Sequence, residues 1–236
     1  MTREALRMNR QNDDWIERYG RIDWRDARSA HRQCRALARH IGENKALLSQ
    51  LVNDLEVDEA RFARCEMHPL MYRLVLHEDL GQEYQVRLHV VAEEARDIVP
   101  HDHKYTFSAY ILAGGYLHIW NRRLGAHEGD FTSHDITPGI VAIERRGAAY
   151  TFRNSLIHQT IMTPGTVSIF IRGPKSQSHW HAAKDMYHLL ADGYEVPKTG
   201  GKNHKGGRRL TIEEYRRVRE QLVSQGLIES RRILDA

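Results

Sequence analysis

The chain has few cysteines and no long hydrophobic run. Only two of its 236 residues are cysteines, Cys34 and Cys65, which excludes a framework of several disulfides and favours buried, reduced thiols. No apolar run approaches the roughly 18 residues of a membrane-spanning helix. The charged N-terminus, Met1 to Arg10, also lacks the apolar centre of a signal peptide. We therefore expect a soluble, cytoplasmic protein without a membrane partner.

Positive charge is concentrated near the C-terminus. Residues 198–232 hold ten Lys or Arg against four Glu, whereas the whole chain has a formal net charge of +4. Such a segment can bind nucleic acid, an acidic partner or an anionic substrate, but it is more often a solvated surface. Because no aromatic residues alternate with base-reading side chains there, nucleic acid is not expected as a partner. The sequence does not indicate an oligomeric state.

Both ends of the chain have the periodicity of amphipathic helices. Apolar positions recur at steps of three and four between Asp23 and Gly42, with Asp23 placed as the N-cap and Gly42 as the stop. Further helices are expected from Asn44 to residue 65. Near the C-terminus, Thr211 and Glu214 have the spacing of a capping box and predict a last helix.

The middle of the chain consists of short β-type runs separated by turn residues such as Gly114-Gly115 and Thr163-Pro164-Gly165. Seven or more strands at this spacing favour a closed sandwich or a small barrel, and the lack of strand–helix alternation argues against a parallel α/β sheet. The chain thus divides into a helical N-terminal extension (1–65), a β-barrel (66–175), and an irregular basic segment with a C-terminal helix (176–236). The predicted strands cover residues 72–76, 84–91, 106–113, 116–120, 140–144, 148–152 and 167–172.

Three histidines have the arrangement of metal ligands. His101 and His103 flank Asp102 just before a hydrophobic strand, and His158 follows about fifty residues later. In a strand, residues i and i+2 project to one face, so His101 and His103 can aim their ring nitrogens at one point. Three neutral imidazoles can bind zinc, copper, iron or nickel and leave positions open for a substrate.

Two alternatives to this metal site are open. The three residues can also be polar side chains at a strand entry and a hydrogen-bonded core histidine, and residues 179–181 form a second His-x-His pattern. The isolated histidines have no ligand-like context and are expected on the surface or in the core: His77, His89, His118, His127, His134 and His188.

The chain resembles the cupin superfamily. The resemblance rests on His-x-His at the start of a strand, a Gly-Gly turn a dozen residues later and a lone histidine on a later strand. It implies a mainly β fold, a cupin jelly-roll barrel with an N-terminal helical segment and a C-terminal helix. Cupins usually have a glutamate shortly after the second histidine, but residues 105–109 contain no carboxylate. That absence resembles the three-histidine branch, the cysteine dioxygenase-like thiol dioxygenases.

The resemblance to that branch implies roles for further residues. Its upstream strand carries an arginine that binds the substrate carboxylate, and Arg73 occupies the corresponding place. Its Ser-x-His-x-Tyr strand is similar to residues 167–174, which keep Ser168 but have Phe170 and Arg172 where the branch has histidine and tyrosine. Ser108 stands in place of the crosslinking cysteine. A crosslink is therefore excluded, and free cysteine is not a clear substrate.

Several arginines are expected around the site. Ser168, Phe170 and Arg172 share one strand face, so an inward Ser168 brings Arg172 into the same pocket. With Arg73 and Arg87, the pocket would bind an anionic substrate.

Two alternatives apply to these side chains. Arg73 and Arg172 can instead pair with carboxylates such as Glu78 or Glu144. Tyr105 can donate a hydrogen bond to a metal-bound ligand or simply pack, and Tyr150 is expected to pack.

The leading hypothesis is a mononuclear non-haem iron(II) oxygenase that uses O2 on a small anionic substrate, either a thiol or an amino-acid-like carboxylate. Its metal ligands would be the three histidines of the metal site. Tyr105, Ser168 and Arg172 would be catalytic, and Arg73, Arg87, Arg172 and Phe170 would bind substrate. The alternatives are a non-oxidative metal-dependent enzyme (isomerase, epimerase or lyase) and a ligand-binding cupin with a basic interaction tail.

Overall fold

The computed structural model describes residues 21–81, 83–125, 129–190 and 207–230, together with Ile16 and Tyr19. Most of the basic segment, residues 191–206, and His127 lie outside these described residues, so the expectations for them stay predictions. The strands are β1 (Glu66–His68), β2 (Met71–Asp79), β3 (Tyr84–Val90), β4 (Ala95–His101), β5 (Tyr105–Ala113), β6 (Gly115–Arg123), β7 (Ile136–Arg145), β8 (Ala149–Phe152), β9 (Ile157–Met162), β10 (Val167–Lys175) and β11 (Arg208–Arg209).

The strands form two antiparallel sheets. The larger sheet has the order β11-β1-β2-β3-β10-β5-β8, and the smaller has the order β4-β9-β6-β7. Eight strands, β3 to β10, are divided equally between the sheets, in the orders 3-10-5-8 and 4-9-6-7. This is the strand order of a jelly roll, which confirms the mainly β, cupin-type jelly roll expected from the sequence.

Two of the jelly-roll strands, β4 and β9, were absent from the sequence prediction. β4 contains Arg96, Asp97 and Pro100, which lower its apparent strand propensity. β9 is short and alternates polar with apolar residues only in part. Both strands are formed by pairing with each other and, for β9, with β6, so they depend on partners that are distant in sequence.

Four α-helices flank the strands: α1 (Ala27–Glu43), α2 (Lys45–Asn53), α3 (Glu59–Phe62) and α4 (Ile212–Ser224). Helix α1 begins later than expected, because the carboxylate of Asp26, not Asp23, accepts hydrogen bonds from the backbone N–H groups of Arg28 and Ser29. Helix α4 has both hydrogen bonds of the capping box predicted from Thr211 and Glu214. Among the described residues, no helix combines the length and apolar character needed to cross a bilayer.

The larger sheet separates two hydrophobic cores. On β10, Val167, Ile169 and Ile171 are fully buried in a core shared with helices α1, α2 and α4. The alternate residue Phe170 belongs instead to the aromatic core between the two sheets. The period-two alternation of the strand therefore assigns one face to the helices and the other to the barrel interior.

Both cysteines lie in the helix-side core and are unpaired, as expected. Burial raises the pKa of the Cys34 thiol to about 12 and that of Cys65 to about 11. Because the thiolate is the reactive form, neither residue is a nucleophile at neutral pH.

Helix α4 is part of the same core as the helical N-terminal region. Tyr215 is fully buried, and its hydroxyl donates a hydrogen bond of 2.8 Å to the buried carbonyl of Val52. The substitution Tyr215→Phe should therefore lower the free energy of unfolding by about 1–2 kcal/mol, since the carbonyl loses its donor. Chemical denaturation measures this change.

Tyr187→Phe is the matched control. Tyr187 is partly buried in a short helical turn over Lys184–Leu189, and no hydrogen bond of its hydroxyl occurs among the described residues. Its stability should stay at the wild-type value. Unchanged stability of Tyr215→Phe would contradict an integral role of helix α4.

Candidate metal centre and adjoining cavity

The jelly roll brings His101, His103 and His158 together. His101 is the last residue of β4, and its strand partner on β9 is His158. The Nε2 atoms of His103 and His158 are 2.8 Å apart, and the candidate ligand nitrogens of all three residues lie within 4.8 Å of one another. His101 and His158 are buried, whereas His103 is partly exposed. Within the described residues this is the one cluster of His, Cys, Asp or Glu that could hold a metal ion.

The two neighbouring histidines do not share one strand, which corrects the geometric reason given for their pairing. His103 lies in the turn between β4 and β5, outside either strand. Its backbone N–H donates to the carbonyl of Asn154 (3.0 Å), and its own carbonyl accepts from Nε2 of Gln177 (2.7 Å). The imidazole packs edge-on against Phe107, with 4.7 Å between ring centroids. Backbone hydrogen bonds and ring packing thus direct His103.

The tautomer of His101 suits a metal ligand. Its Nδ1 lies 3.0 Å from the carbonyl oxygen of Val99, and a carbonyl can only accept, so Nδ1 carries the proton. The lone pair of a neutral His101 is therefore on Nε2, and a backbone carbonyl is a common partner that fixes ligand histidines in this way.

The donor set fits a divalent transition-metal ion. Nitrogens that each lie about 2.1 Å from one ion are separated by at most about 4.2 Å. The 2.8 Å between His103 and His158 satisfies this limit. Imidazole nitrogens suit zinc, copper, iron and nickel, so the residues do not select iron(II) among them.

A carboxylate also lies beside the cluster, and the sequence analysis missed it. Oδ2 of Asp97 is 3.5 Å from Nε2 of His101, and Asp97 is buried at the cavity wall. A carboxylate oxygen that faces an imidazole lone pair is repelled unless a cation or a proton lies between them. The expectation of a site without nearby acidic charge is therefore wrong. The available signal was an acidic residue four positions before His101, on a strand that the prediction lacked.

Asp102 anchors the turn that carries His101 and His103. It is fully buried and accepts hydrogen bonds from His181 N (2.6 Å), His181 Nδ1 (2.9 Å), Gln177 Nε2 (3.1 Å) and Arg123 (3.3 Å). Its own N–H donates to the carbonyl of His181. The hydrogen bond to Asp102 raises the pKa of the His181 imidazole. The second His-x-His pattern, residues 179–181, therefore supports the metal turn and is not a rival metal site.

Two adjoining cavities open beside the imidazoles. An inner chamber of about 80 Å³ is lined by the three histidines, Asp97 and aromatic side chains that include Phe107 and Phe170. An outer pocket of about 200 Å³ is lined mainly by charged residues. Five residues line both cavities and connect them: His68, Arg73, Arg87, His103 and Tyr105.

The expected arginines surround the outer pocket. Arg73 lies 3.4 Å and Arg87 3.9 Å from Oε2 of Glu66, and Arg172 is stacked over the ring of Tyr105 at 5.2 Å. The suggested pairing of Arg73 with Glu78 is wrong, since Glu78 contacts Arg64 and Gln85 instead.

The inward residues of β10 reach the cavities in different ways. Ser168 is fully buried, and its hydroxyl forms a 2.8 Å hydrogen bond with the hydroxyl of Tyr116, which lines the inner chamber. Phe170 itself lines the inner chamber, and Arg172 lines the outer pocket. Ser168 therefore contacts the chamber through Tyr116, whereas the other two residues face the cavities directly.

Two histidines without apparent context in the sequence line the inner chamber. His89 stacks on Phe170 with 4.3 Å between ring centroids, and burial together with Arg73 and Arg87 lowers the pKa of its imidazole well below the usual value. Burial also lowers the pKa of His118 to about 3. Both rings are therefore neutral at physiological pH. They were expected in the core or on the surface; their place on the cavity wall could be read only from the sheet register.

Comparisons with known proteins give structural neighbours only. No family model matches the chain, and no curated protein matches its sequence. An RmlC-like cupin from Shewanella frigidimarina NCIMB 400 is similar, with a TM-score of 0.36 and 14% identity over 49% of this chain and 86% of that one. For KdgF from Halomonas sp. the TM-score is 0.34 and the identity 12%, over 47% of this chain and 84% of the other.

A single-residue variant of the oxalate decarboxylase of Bacillus subtilis has a TM-score of 0.35 and 15% identity, covering 49% of this chain but 28% of that one. All three TM-scores are below 0.5, so the fold assignment rests on the strand order of this chain.

The Asp102 anchor is testable by substitution. Asp102→Asn keeps the size of the side chain but removes the charge that pairs with Arg123 and accepts from the ring of His181. We expect the free energy of unfolding to fall by about 2–4 kcal/mol, because buried partners lose their acceptor. Because the metal turn loses its support, metal affinity should also fall by about 10–100-fold. Denaturant unfolding and metal titration measure the two effects.

Asp130→Asn provides the control, since Asp130 forms an exposed ion pair with Lys184 at 2.6 Å. Exposed pairs contribute little, so stability and metal affinity should stay close to wild type. Equal behaviour of the two variants would contradict the anchor role of Asp102.

Proposed function

We propose that the chain is a mononuclear non-haem iron(II) oxygenase that acts on a small anionic substrate. The observation that carries the proposal is the cluster of three imidazoles beside an inner chamber that continues into an arginine-lined pocket. A structural metal site is usually closed by four protein ligands, whereas three imidazoles next to a cavity leave space for a substrate. Iron(II) bound there would supply one-electron chemistry with O2 and Lewis acidity toward an anion.

The side chains around the cavity support binding of an anion. Arg73 and Arg172 can each donate two parallel hydrogen bonds to a carboxylate or a similar group. Tyr105 lies between the two cavities and is stacked against Arg172, so it can orient the bound anion relative to the histidines.

The inner chamber supports chemistry on a desolvated group. Phe107 and Phe170 stack on each other with 4.7 Å between centroids, and both are buried. Burial raises the pKa of the Tyr150 hydroxyl well above its usual value, so this group stays protonated and can donate a hydrogen bond. Together with the neutral His89 and His118, these residues exclude bulk water from the side of the chamber opposite the arginines.

The proposed substrate class follows the resemblance to thiol dioxygenases, within which a thiol or an amino-acid-like carboxylate is expected. The inner face of β10 presents Phe170 and Arg172 instead of the branch's histidine and tyrosine. These two side chains enlarge the apolar and cationic character of the pocket, so free cysteine is not the favoured member of that class.

A second candidate function keeps the metal but not the oxidation. Asp97 lies at the inner chamber, 3.5 Å from Nε2 of His101, where a carboxylate can accept a proton from a substrate activated by a Lewis acid. This placement favours an isomerase, epimerase or lyase. Such an enzyme would turn over without O2, which separates it from the oxygenase.

Oxygen uptake tests the proposal. The purified full chain loaded anaerobically with Fe(II) should consume O2 when supplied with members of a panel of thiols and amino acids. His158→Ala should reduce both bound iron and uptake by at least tenfold, since it removes one of three ligands.

His179→Ala is the matched control for that substitution, because this histidine belongs to the second His-x-His pattern but not to the metal cluster. It should bind iron and consume O2 like the wild type. Tightly bound zinc with no O2 consumption for any substrate would contradict the oxygenase. Product formed equally well under anaerobic conditions would favour the second candidate.

A further inference from the structure

The outer pocket has more positive charge than its own carboxylate can balance. Four cationic side chains line it, Arg73, Arg87, Arg172 and Lys104, against the single carboxylate of Glu66. Lys104 is partly buried, which, together with Lys175, lowers the pKa of its ammonium group. The imbalance lies inside a cavity and not on an open surface, so solvent and salt screen it less than usual.

Glu66 neutralises this cluster only in part. Its carboxylate is 3.4 Å from Arg73 and 3.9 Å from Arg87, longer than the roughly 2.7–2.9 Å of strong charge-assisted hydrogen bonds. Its side chain is also 38% exposed. No carboxylate of the described residues lies within ion-pair distance of Arg172, whose guanidinium instead stacks over Tyr105. At least one guanidinium therefore faces the pocket without an anion of the protein.

Repulsion between the guanidinium groups is visible at Arg87. This side chain is buried, and burial, with contributions from Arg172 and Arg73, lowers its pKa to about 10. It is still charged at neutral pH. Buried like charges are costly unless an anion is present, so the pocket gains free energy when a ligand of opposite charge enters.

We propose that the outer pocket binds a dianionic phosphate or phosphonate group of the substrate. A planar carboxylate has two oxygens and one charge, and it saturates a single guanidinium when both oxygens are engaged. A phosphate or phosphonate group has three terminal oxygens and up to two charges, which match three converging guanidinium groups and the excess charge of the pocket.

The connected cavities also limit the rest of the substrate. The inner chamber of about 80 Å³ has room for only about two or three water-sized groups, at about 30 Å³ for each water. With the headgroup among the arginines, a short organic arm would reach the imidazoles past Tyr105 and His103, which line both cavities. This inference rests on the proposed function for the chemistry of the arm, but the headgroup site rests on the outer pocket alone.

Binding of small anions to the full chain, freed of metal by dialysis, tests the headgroup site separately from the iron chemistry. The probes are methyl phosphate, methanesulfonate, malonate and acetate, titrated calorimetrically at pH 8 and constant ionic strength. Methyl phosphate is a dianion there. Methanesulfonate has a similar tetrahedral shape with one charge, and malonate carries two charges on two planar groups.

Methyl phosphate should bind at least tenfold more tightly than each of the other three probes. Equal affinity for malonate would overturn the proposal in favour of a dicarboxylate site, and equal affinity for acetate or methanesulfonate would overturn the requirement for a dianion. Because no iron is present, tight phosphate binding can occur even if oxygen uptake fails. Oxygen uptake with a thiol but no phosphate binding would remove this inference while leaving the proposed function intact.

Arginine variants complete the test. Arg172→Gln and Arg73→Gln should each weaken methyl phosphate binding by about tenfold or more, the loss expected for one charge-assisted interaction. Arg172→Lys should weaken it less, because it keeps the charge but not the planar fork. Arg96→Gln is the control, since Arg96 is exposed on β4 and pairs with Glu94. Circular dichroism confirms folding of each variant, and an equal effect of Arg96→Gln would contradict a localised site.

Discussion

A fully buried carboxylate, that of Asp102, determines the geometry of the candidate metal centre. It lies between two of the three histidines and joins their turn to residues 177–183 by hydrogen bonds from two side chains and one backbone N–H, in addition to Arg123. The same segment extends the pairing of β4, since Ala182 bridges to His101 and the N–H of Ala183 donates to the carbonyl of Pro100. This carboxylate therefore links the turn that carries His103 to a second segment of the chain and holds the imidazole toward His158.

The electrostatic character changes sharply across the connected cavities. Around the imidazoles, burial keeps His89 and His118 neutral, and Asp97 supplies the acidic group. In the outer pocket the guanidinium groups dominate. A cation is therefore favoured in the inner chamber and an anion in the adjoining outer pocket. Sheet register produces this separation, because β2 and β3 pair Arg73 with His89 and β10 continues the wall with Phe170 and Arg172.

Local patterns predicted much of the molecule. The helix periodicity, the capping box of α4 and the alternation along β10 depend on near neighbours, and all three appear in the structure. The three histidines were found because their spacing has few other chemical explanations. The strands β4 and β9 were missed because each exists through pairing between distant segments. Asp97 and His89 were missed for the same reason: their position at the cavity depends on which strands become neighbours. The choice between Asp23 and Asp26 as the cap of α1 was open, since both residues are good N-caps.

The central claim is that three imidazoles bind a single metal ion inside the barrel. The most direct measurement is anaerobic titration of the metal-free full chain with Fe(II), followed by X-ray absorption on the loaded protein. The account predicts one ion per chain with scattering from three imidazoles at about 2.1 Å. A stoichiometry other than one, or a bound ion with fewer than three imidazole ligands, would contradict it.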